Sequence, residues 1–242
     1  ITGSDPENDT LAFSISGGDD LASFVINSST GALSFNSAPD YETKNSYAVQ
    51  VQISDGALTA IQNVTISINN LNDNSPSFTS SSSMSGDENQ SSIGTVAAND
   101  ADGDSVSYSI VSGIADAASF NINSSSGVLT FASTPNYEAK NSYNLRVQAS
   151  DGTNTTTQDI AVSVNNLNES PAFVSSSTFS VAENQSAMGT ISASDPEGDS
   201  LTYSFKGTGG DYSVLSINSS SGVITFTTDP NYEVDNQLTV TV

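Results

Sequence analysis

The chain has 242 residues, with 27 Asp and Glu against 4 Lys and Arg, and its formal charge of -23 argues against nucleic acid or an anionic membrane surface as a partner. It contains no histidine and no cysteine. That removes zinc centres, His-assisted nucleophiles, iron–sulfur ligation and disulfides, and leaves hard oxygen-ligand chemistry. At 35% hydrophobic residues the chain is a fold rather than an acidic tail, and a fold that repels itself this strongly calls for bound divalent metal.

Taken in order, the elements repeat. Asp5-Pro6-Glu7-Asn8-Asp9 returns as Asp100-Ala101-Asp102-Gly103-Asp104 and as Asp195-Pro196-Glu197-Gly198-Asp199, a spacing of 95 each time (100 − 5, 195 − 100). Next come alternating apolar residues, Leu11/Phe13/Ile15, matched by Val106/Tyr108/Ile110 and Leu201/Tyr203/Phe205. Phe24/Ile26 and Leu33/Phe35 flank Thr30-Gly31, a turn that suits a positive φ. Pro39-Asp40-Tyr41-Glu42, repeated at 135–138 and 230–233, precedes Tyr47/Val49/Val51/Ile53. Ser54-Asp55-Gly56, repeated at 150–152, precedes Val64/Ile66/Ile68. Period-two alternation predicts half-buried strands, and no segment has a helical period. About seven short strands per repeat predict an all-β fold of tandem sandwiches.

The phase of the ends sets the expected boundaries. Ile1 aligns with Ile191, and Val242 aligns with Val51 and Val147. A repeat at 1–74 therefore lacks its first strand, one at 75–170 is complete, and one at 171–242 lacks its last. The sequence reads as a piece of a longer array whose open sandwich edges are continued by neighbouring chain. No signal peptide and no membrane-spanning apolar run is recognised.

Between repeats lies Asn70-Leu71-Asn72-Asp73-Asn74-Ser75-Pro76, returning as Asn166-Leu167-Asn168-Glu169-Ser170-Pro171, one residue shorter. With Asp87-Glu88-Asn89 and Ala182-Glu183-Asn184, Asp40-Tyr41-Glu42, Asp100-Ala101-Asp102 and Asp151, this set resembles cadherin domains, specifically the bacterial cadherin-like type, over essentially the whole chain. The resemblance implies Ig-like Greek-key sandwiches placed end to end, with calcium bound where the base of one repeat, the linker and the top of the next converge. It assigns Asp40, Glu42, Asn72, Asp73, Asn74, Asp100, Asp102 and Asp151 to the first joint. To the second it assigns Glu88, Glu138, Asn168, Glu169, Asp195 and Glu197, with Asn136 as a carbonyl donor. Calcium takes roughly six to eight oxygens, so the cut first repeat, the shorter second linker and Asn136 in place of an Asp imply incomplete shells and a weaker second joint. The implied partners are calcium, neighbouring repeats, and like-to-like or polysaccharide contacts. The implied setting is the exterior or cell surface of a bacterium, where disulfide-free β proteins are ordinary. The function implied is a calcium-rigidified structural or adhesive array; the alternative is a polysaccharide-binding module.

Competing readings are weaker. Asp and Asn in loops are most often turn formers, and several sequons, at Asn27, Asn63, Asn123, Asn154 and Asn218, read mostly as strand-end turns. An EF-hand reading of Asp100–Asp104 fails, because Val111 stands where a bidentate Glu is needed. Paired-carboxylate catalysis is disfavoured because the same pair recurs in every repeat, so no enzyme is expected. A sugar platform needs exposed aromatics; the chain has no Trp, and Tyr212 is the one Tyr outside the repeat register.

Overall fold

The computed structural model describes residues 1–114, 116–206, 211–233 and 237–242. Their regular structure is β apart from short 3-10 turns at Leu21–Ser23, Ala117–Ser119 and Asp211–Val214. The first repeat supplies β1 (Ala12–Gly17), β2 (Phe24–Ile26), β3 (Leu33–Phe35), β4 (Ser46–Ser54) and β5 (Thr59–Ser67). The middle repeat supplies β6 (Ser77–Phe78), β7 (Ser83–Asp87), β8 (Ser92–Thr95), β9 (Ala98–Asn99), β10 (Ser107–Ile110), β11 (Phe120–Ile122), β12 (Val128–Phe131), β13 (Ser142–Ser150) and β14 (Thr155–Asn165). In the third are β15 (Ala172–Phe173), β16 (Ala187–Thr190), β17 (Ala193–Ser194), β18 (Leu215–Ile217) and β19 (Val223–Phe226).

The expected seven strands of the middle repeat are present, with two of them split. Its first strand pairs as β6 with β9 and then, after crossing over, as β7 at the edge of a sheet ordered β10-β13-β14-β7; its second is divided into β8, beside β12, and β9. The first repeat repeats the pattern in part, as β1-β4-β5 and β2-β3. There β5 has β4 on one side only, and Val64, Ile66 and Ile68 are half-buried. Their counterparts Ile160, Val162 and Val164, on a strand flanked by both β13 and β7, are 1%, 1% and 4% exposed.

The chain divides into two compact units, one of residues 1–84, 93–132 and 144–161, the other of 85–92, 133–143 and 162–242. In the first unit, alternation places Phe13, Phe24, Val49 and Val51, and then Val96, Phe120, Leu129, Phe131, Leu145 and Val147, in its core, each contributing roughly 1.5–3 kcal/mol on burial. Phe24, Phe35 and Tyr47 meet edge to face or tilted, with centroids 4.5–5.9 Å apart. The Tyr108 hydroxyl accepts from the Ala98 amide at 2.9 Å, tying β10 to β9. In the second unit Ile191, Leu215, Ile224 and Phe226 form the core, with Phe179, Met188 and Leu238 packed on it.

In the third repeat not every expected strand is formed among the described residues. Leu201, Tyr203 and Phe205 belong to no sheet among the described residues. A single ladder bond, Lys206 N to Thr241 O at 2.7 Å, joins that run to 237–242. The next pairing is taken by Tyr212, whose hydroxyl donates to Lys206 O at 2.6 Å and accepts from Thr241 N at 3.3 Å. Tyr212 thus spends its polar handle within the fold, its ring against Phe205. The rest of its loop, at 207–210, lies outside the described residues.

Candidate metal centres

Each linker leaves the last strand of one repeat and is stopped by proline, so its polar groups have no ladder to join and turn to nearby loops. In the first, Asn70 Nδ2 donates to Asp102 O at 2.7 Å. Asn74 donates its backbone N–H to Asp102 Oδ2 and its Nδ2 to Asp102 Oδ1, both at 2.9 Å, and Nδ2 also reaches Asp73 Oδ1 at 3.1 Å. Glu42, Asp73 and Asp102 offer carboxylate oxygens all within 4.8 Å of one another. Asp100 Oδ1 accepts from the amides of Asp102 and Asp104 at 3.0 and 3.3 Å. Asp151 Oδ1 accepts from Thr153 and Asn154 at 2.7 and 2.6 Å.

The remaining oxygens of two of these acids decide how the cluster is read. Asp100 Oδ2 and Asp151 Oδ2 are buried with no hydrogen-bond partner, an arrangement that costs free energy unless a cation or its hydration shell meets them. Asp40 spends both oxygens on its own turn, accepting from the Glu42 and Thr43 amides and the Thr43 hydroxyl at 3.0–3.1 Å. Asn72 accepts from Asn154 rather than facing the carboxylates alone.

The second centre is built around Glu88, which is 0% exposed. Its Oε2 accepts from Tyr137 N at 2.9 Å and its Oε1 from Leu167 N at 2.7 Å, so one side chain holds both a turn and the linker. Glu88, Glu138 and Glu169 bring carboxylate oxygens within 4.8 Å. Asn89 Nδ2 donates to Glu169, and Glu169 N donates to Glu197 Oε2 at 3.0 Å, leaving Glu197 Oε1 buried and unpartnered. Asp195 Oδ1 accepts the Glu197 and Asp199 amides, both at 3.1 Å. The Asn136 side-chain oxygen accepts from Ala139 N at 2.6 Å, and Asn168 Nδ2 lies 3.4 Å from Glu169 O.

Sequence reasoning missed Asp104, which forms a further carboxylate triple with Asp100 and Asp102; its recurrence as Asp9 and Asp199 was the available signal. It also passed over Asn70 and Asn154 as organisers of the linker. The sequons Asn27, Asn123 and Asn218 are turns as expected, each Oδ1 accepting two following amides at 2.9–3.0 Å.

Crowding shows in the proton affinities. Burial, together with the neighbouring Asp102 and Asp40 carboxylates, pushes Glu42 above the ordinary glutamate range. The Asn74 amide holds Asp102 below the ordinary aspartate range, and the Thr43 hydroxyl and amide do the same for Asp40. At Asp151, burial acts upward but the Asn154 and Thr153 amides outweigh it. The signs differ. Raised Glu42 favours the folded state at acid pH, and that contribution is lost as pH climbs through its folded value; Asp40, Asp102 and Asp151 favour it above the ordinary aspartate range, and theirs is lost as pH falls. In chelator, carboxyl-carbon NMR should show Glu42 titrating above the ordinary glutamate value and Asp102 below the ordinary aspartate value. Glu42 titrating at or below the ordinary value would overturn this assignment.

The cadherin-domain family model matches residues 1–69 and 81–165, more than half of the chain. The chain belongs to the cadherin family. A bacterial Ig-domain model matches 168–242. Cadherin-99C of Drosophila melanogaster is 28% identical over 252 aligned residues, covering 98% of the chain and 15% of that protein. Human Protocadherin Fat 1 is 33% identical over 189, covering 72% of the chain and 4% of that protein. The chain thus spans a small fraction of the curated relatives it matches. Human CDH23 EC21-23 superposes with a TM-score of 0.66 at 21% identity, covering 93% of the chain and 86% of the structure. Mouse Cadherin-23 EC22-24 gives 0.58 at 24%, covering 93% and 77%. Both show the fold of tandem cadherin repeats. Among the described residues no helix is long and apolar enough to cross a membrane.

Proposed function

We propose that these cadherin repeats, at 1–74, 75–170 and 171–242, form part of an extracellular structural or adhesive array stiffened by calcium at its linkers, on a bacterial surface. The observation that carries this reading is the pairing, at both linkers, of three converging carboxylates with buried, unpartnered acid oxygens: Asp100 Oδ2 and Asp151 Oδ2 at one, Glu197 Oε1 at the other. Such a donor set of acids and amide carbonyls fits a hard cation with six or more oxygen ligands. At the first linker Glu42, Asp73, Asp100, Asp102, Asp104 and Asp151 would hold it, with Asn72 contributing a carbonyl. Glu88, Glu138, Glu169, Asp195 and Glu197 would do so at the second. Bound calcium would neutralise these acids and tie each linker to the loops on either side of it. Asp40 and Asn136 act through the turns they cap, setting the positions of Glu42 and Glu138. The bacterial Ig-domain match at 168–242 supports the bacterial setting.

Small-angle scattering in calcium and in chelator tests the proposal. The maximum dimension should shrink and the distance distribution broaden on chelation, as the linkers lose the metal and keep only their direct hydrogen bonds. An unchanged maximum dimension would sink it. Because residues 69–76 and 165–171 contain no Lys or Arg, the parallel protease test needs enzymes that cut at Asp73 and Glu169, and cleavage there should accelerate in chelator.

A further inference from the structure

The first linker is held by side-chain amides as well as by acids. Asn154, in the loop between β13 and β14, donates Nδ2 hydrogens to Asn72 Oδ1 at 3.0 Å and to Asn74 O at 2.9 Å, so both hydrogens of one amide are spent on two residues of the linker. Asn154 is itself fixed, since its backbone N–H is bound by Asp151 Oδ1 at 2.6 Å. On the other side, Asn70 and Asn74 reach Asp102 at 2.7 and 2.9 Å. All of these donors are neutral amides, and none of the bonds needs a cation. We infer that Asn154 is a positioning residue: it clasps the first linker in its folded path before any metal arrives, so that the candidate ligands Asn72, Asp73 and Asp102 are preset.

The chain contains its own comparisons. At the place of Asn154 the first repeat has Leu58 (154 − 58 = 96), an apolar side chain 74% exposed that can donate nothing. In the second linker Glu169 does the work of two residues of the first. Its carboxylate joins Glu88 and Glu138 as Asp73 joins Glu42 and Asp102, while its backbone N–H reaches Glu197 at the same spacing at which Asn74 reaches Asp102 (197 − 169 = 102 − 74 = 28). Where Asn74 lays its side-chain amide on Asp102, the second linker instead receives a side-chain amide, that of Asn89, on Glu169. A linker held in this way spends less of its binding free energy on ordering itself when a ligand arrives, an advantage of preorganisation.

The consequence for affinity rests on the calcium reading above, whereas the clasp does not, so the test has two arms. In chelator, NMR hydrogen exchange should show the Asn74 backbone amide protected in the full chain. That protection should fall at least about tenfold in Asn154→Leu and Asn154→Ala, with Tyr108 and Val147 unaffected. Asn72→Ala, which removes an acceptor on the linker side, should reproduce part of the loss. Unchanged Asn74 protection in the two Asn154 variants, or loss confined to them and absent from Asn72→Ala, overturns the clasp. In the second arm, calcium titration should show the first-linker affinity lowered roughly 10–100-fold in Asn154→Leu, the range found when an outer partner of a ligand is removed. A wild-type chain that takes up no calcium defeats the functional proposal while leaving the exchange result to decide the clasp.

Discussion

Replacing Gly127 with alanine should unfold the middle repeat at markedly lower urea. Gly127 has φ +69, and a Cβ built there would lie 2.0 Å from Val96 O, a backbone atom that cannot swing aside. That carbonyl and the glycine are parts of one junction, since Val96 N donates to Gly127 O at 2.9 Å and Gly127 N donates to Asn123 O at 2.9 Å. The left-handed conformation costs a non-glycine residue roughly 1–2 kcal/mol, and forcing a methyl into filled space costs about 1–3 more. The expected loss is therefore about 2–5 kcal/mol. The same contact recurs at Gly31 against Ile1 O, 2.4 Å, and Gly222 against Ile191 O, 2.1 Å. Urea unfolding followed by circular dichroism in chelator measures the effect, and a loss below about 1 kcal/mol would contradict the geometry.

Glu88→Ala should be about as damaging, and by a mechanism that does not need metal. The carboxylate is buried and accepts two backbone N–H groups, Tyr137 and Leu167. Truncation strands both at roughly 1–3 kcal/mol each, about 2–6 kcal/mol together. Glu88→Gln, which keeps the volume and one acceptor oxygen, should lose less. The decisive comparison is again in chelator: a wild-type-like midpoint for the alanine variant there, with loss only in calcium, would mean that Glu88 matters as a ligand and not as a scaffold. The third repeat carries a looser version, Tyr232 N to Glu183 Oε2 at 3.3 Å.

Much of the sandwich was legible because period-two alternation and turn chemistry are local. Leu33/Phe35 and Tyr47 to Ile53 are strands as read, and Thr30-Gly31 has the positive φ expected of it. The run through Leu201, Tyr203 and Phe205 was misread for a tertiary reason: alternation cannot show that the Tyr212 hydroxyl will occupy the Lys206 and Thr241 backbone groups that a ladder would use. The acids of the two centres were legible because they recur at a fixed spacing. What each oxygen does was not. Asp40 and Asp102 look alike in sequence, yet one is spent on its own turn and the other on Asn74. Asn154 was hidden for the same reason, appearing as a sequon while its amide nitrogen serves the linker.

The crossover between β6 and β7 has a mechanical consequence. The segment that leaves Pro76 is hydrogen-bonded first to β9 and then, within a few residues, to the edge of β14. Tension pulled through the first linker would load two separate ladders in succession along their length, as shear, instead of peeling one ladder open bond by bond. A tug on the chain would thus meet resistance from both faces of the middle sandwich before either strand could let go.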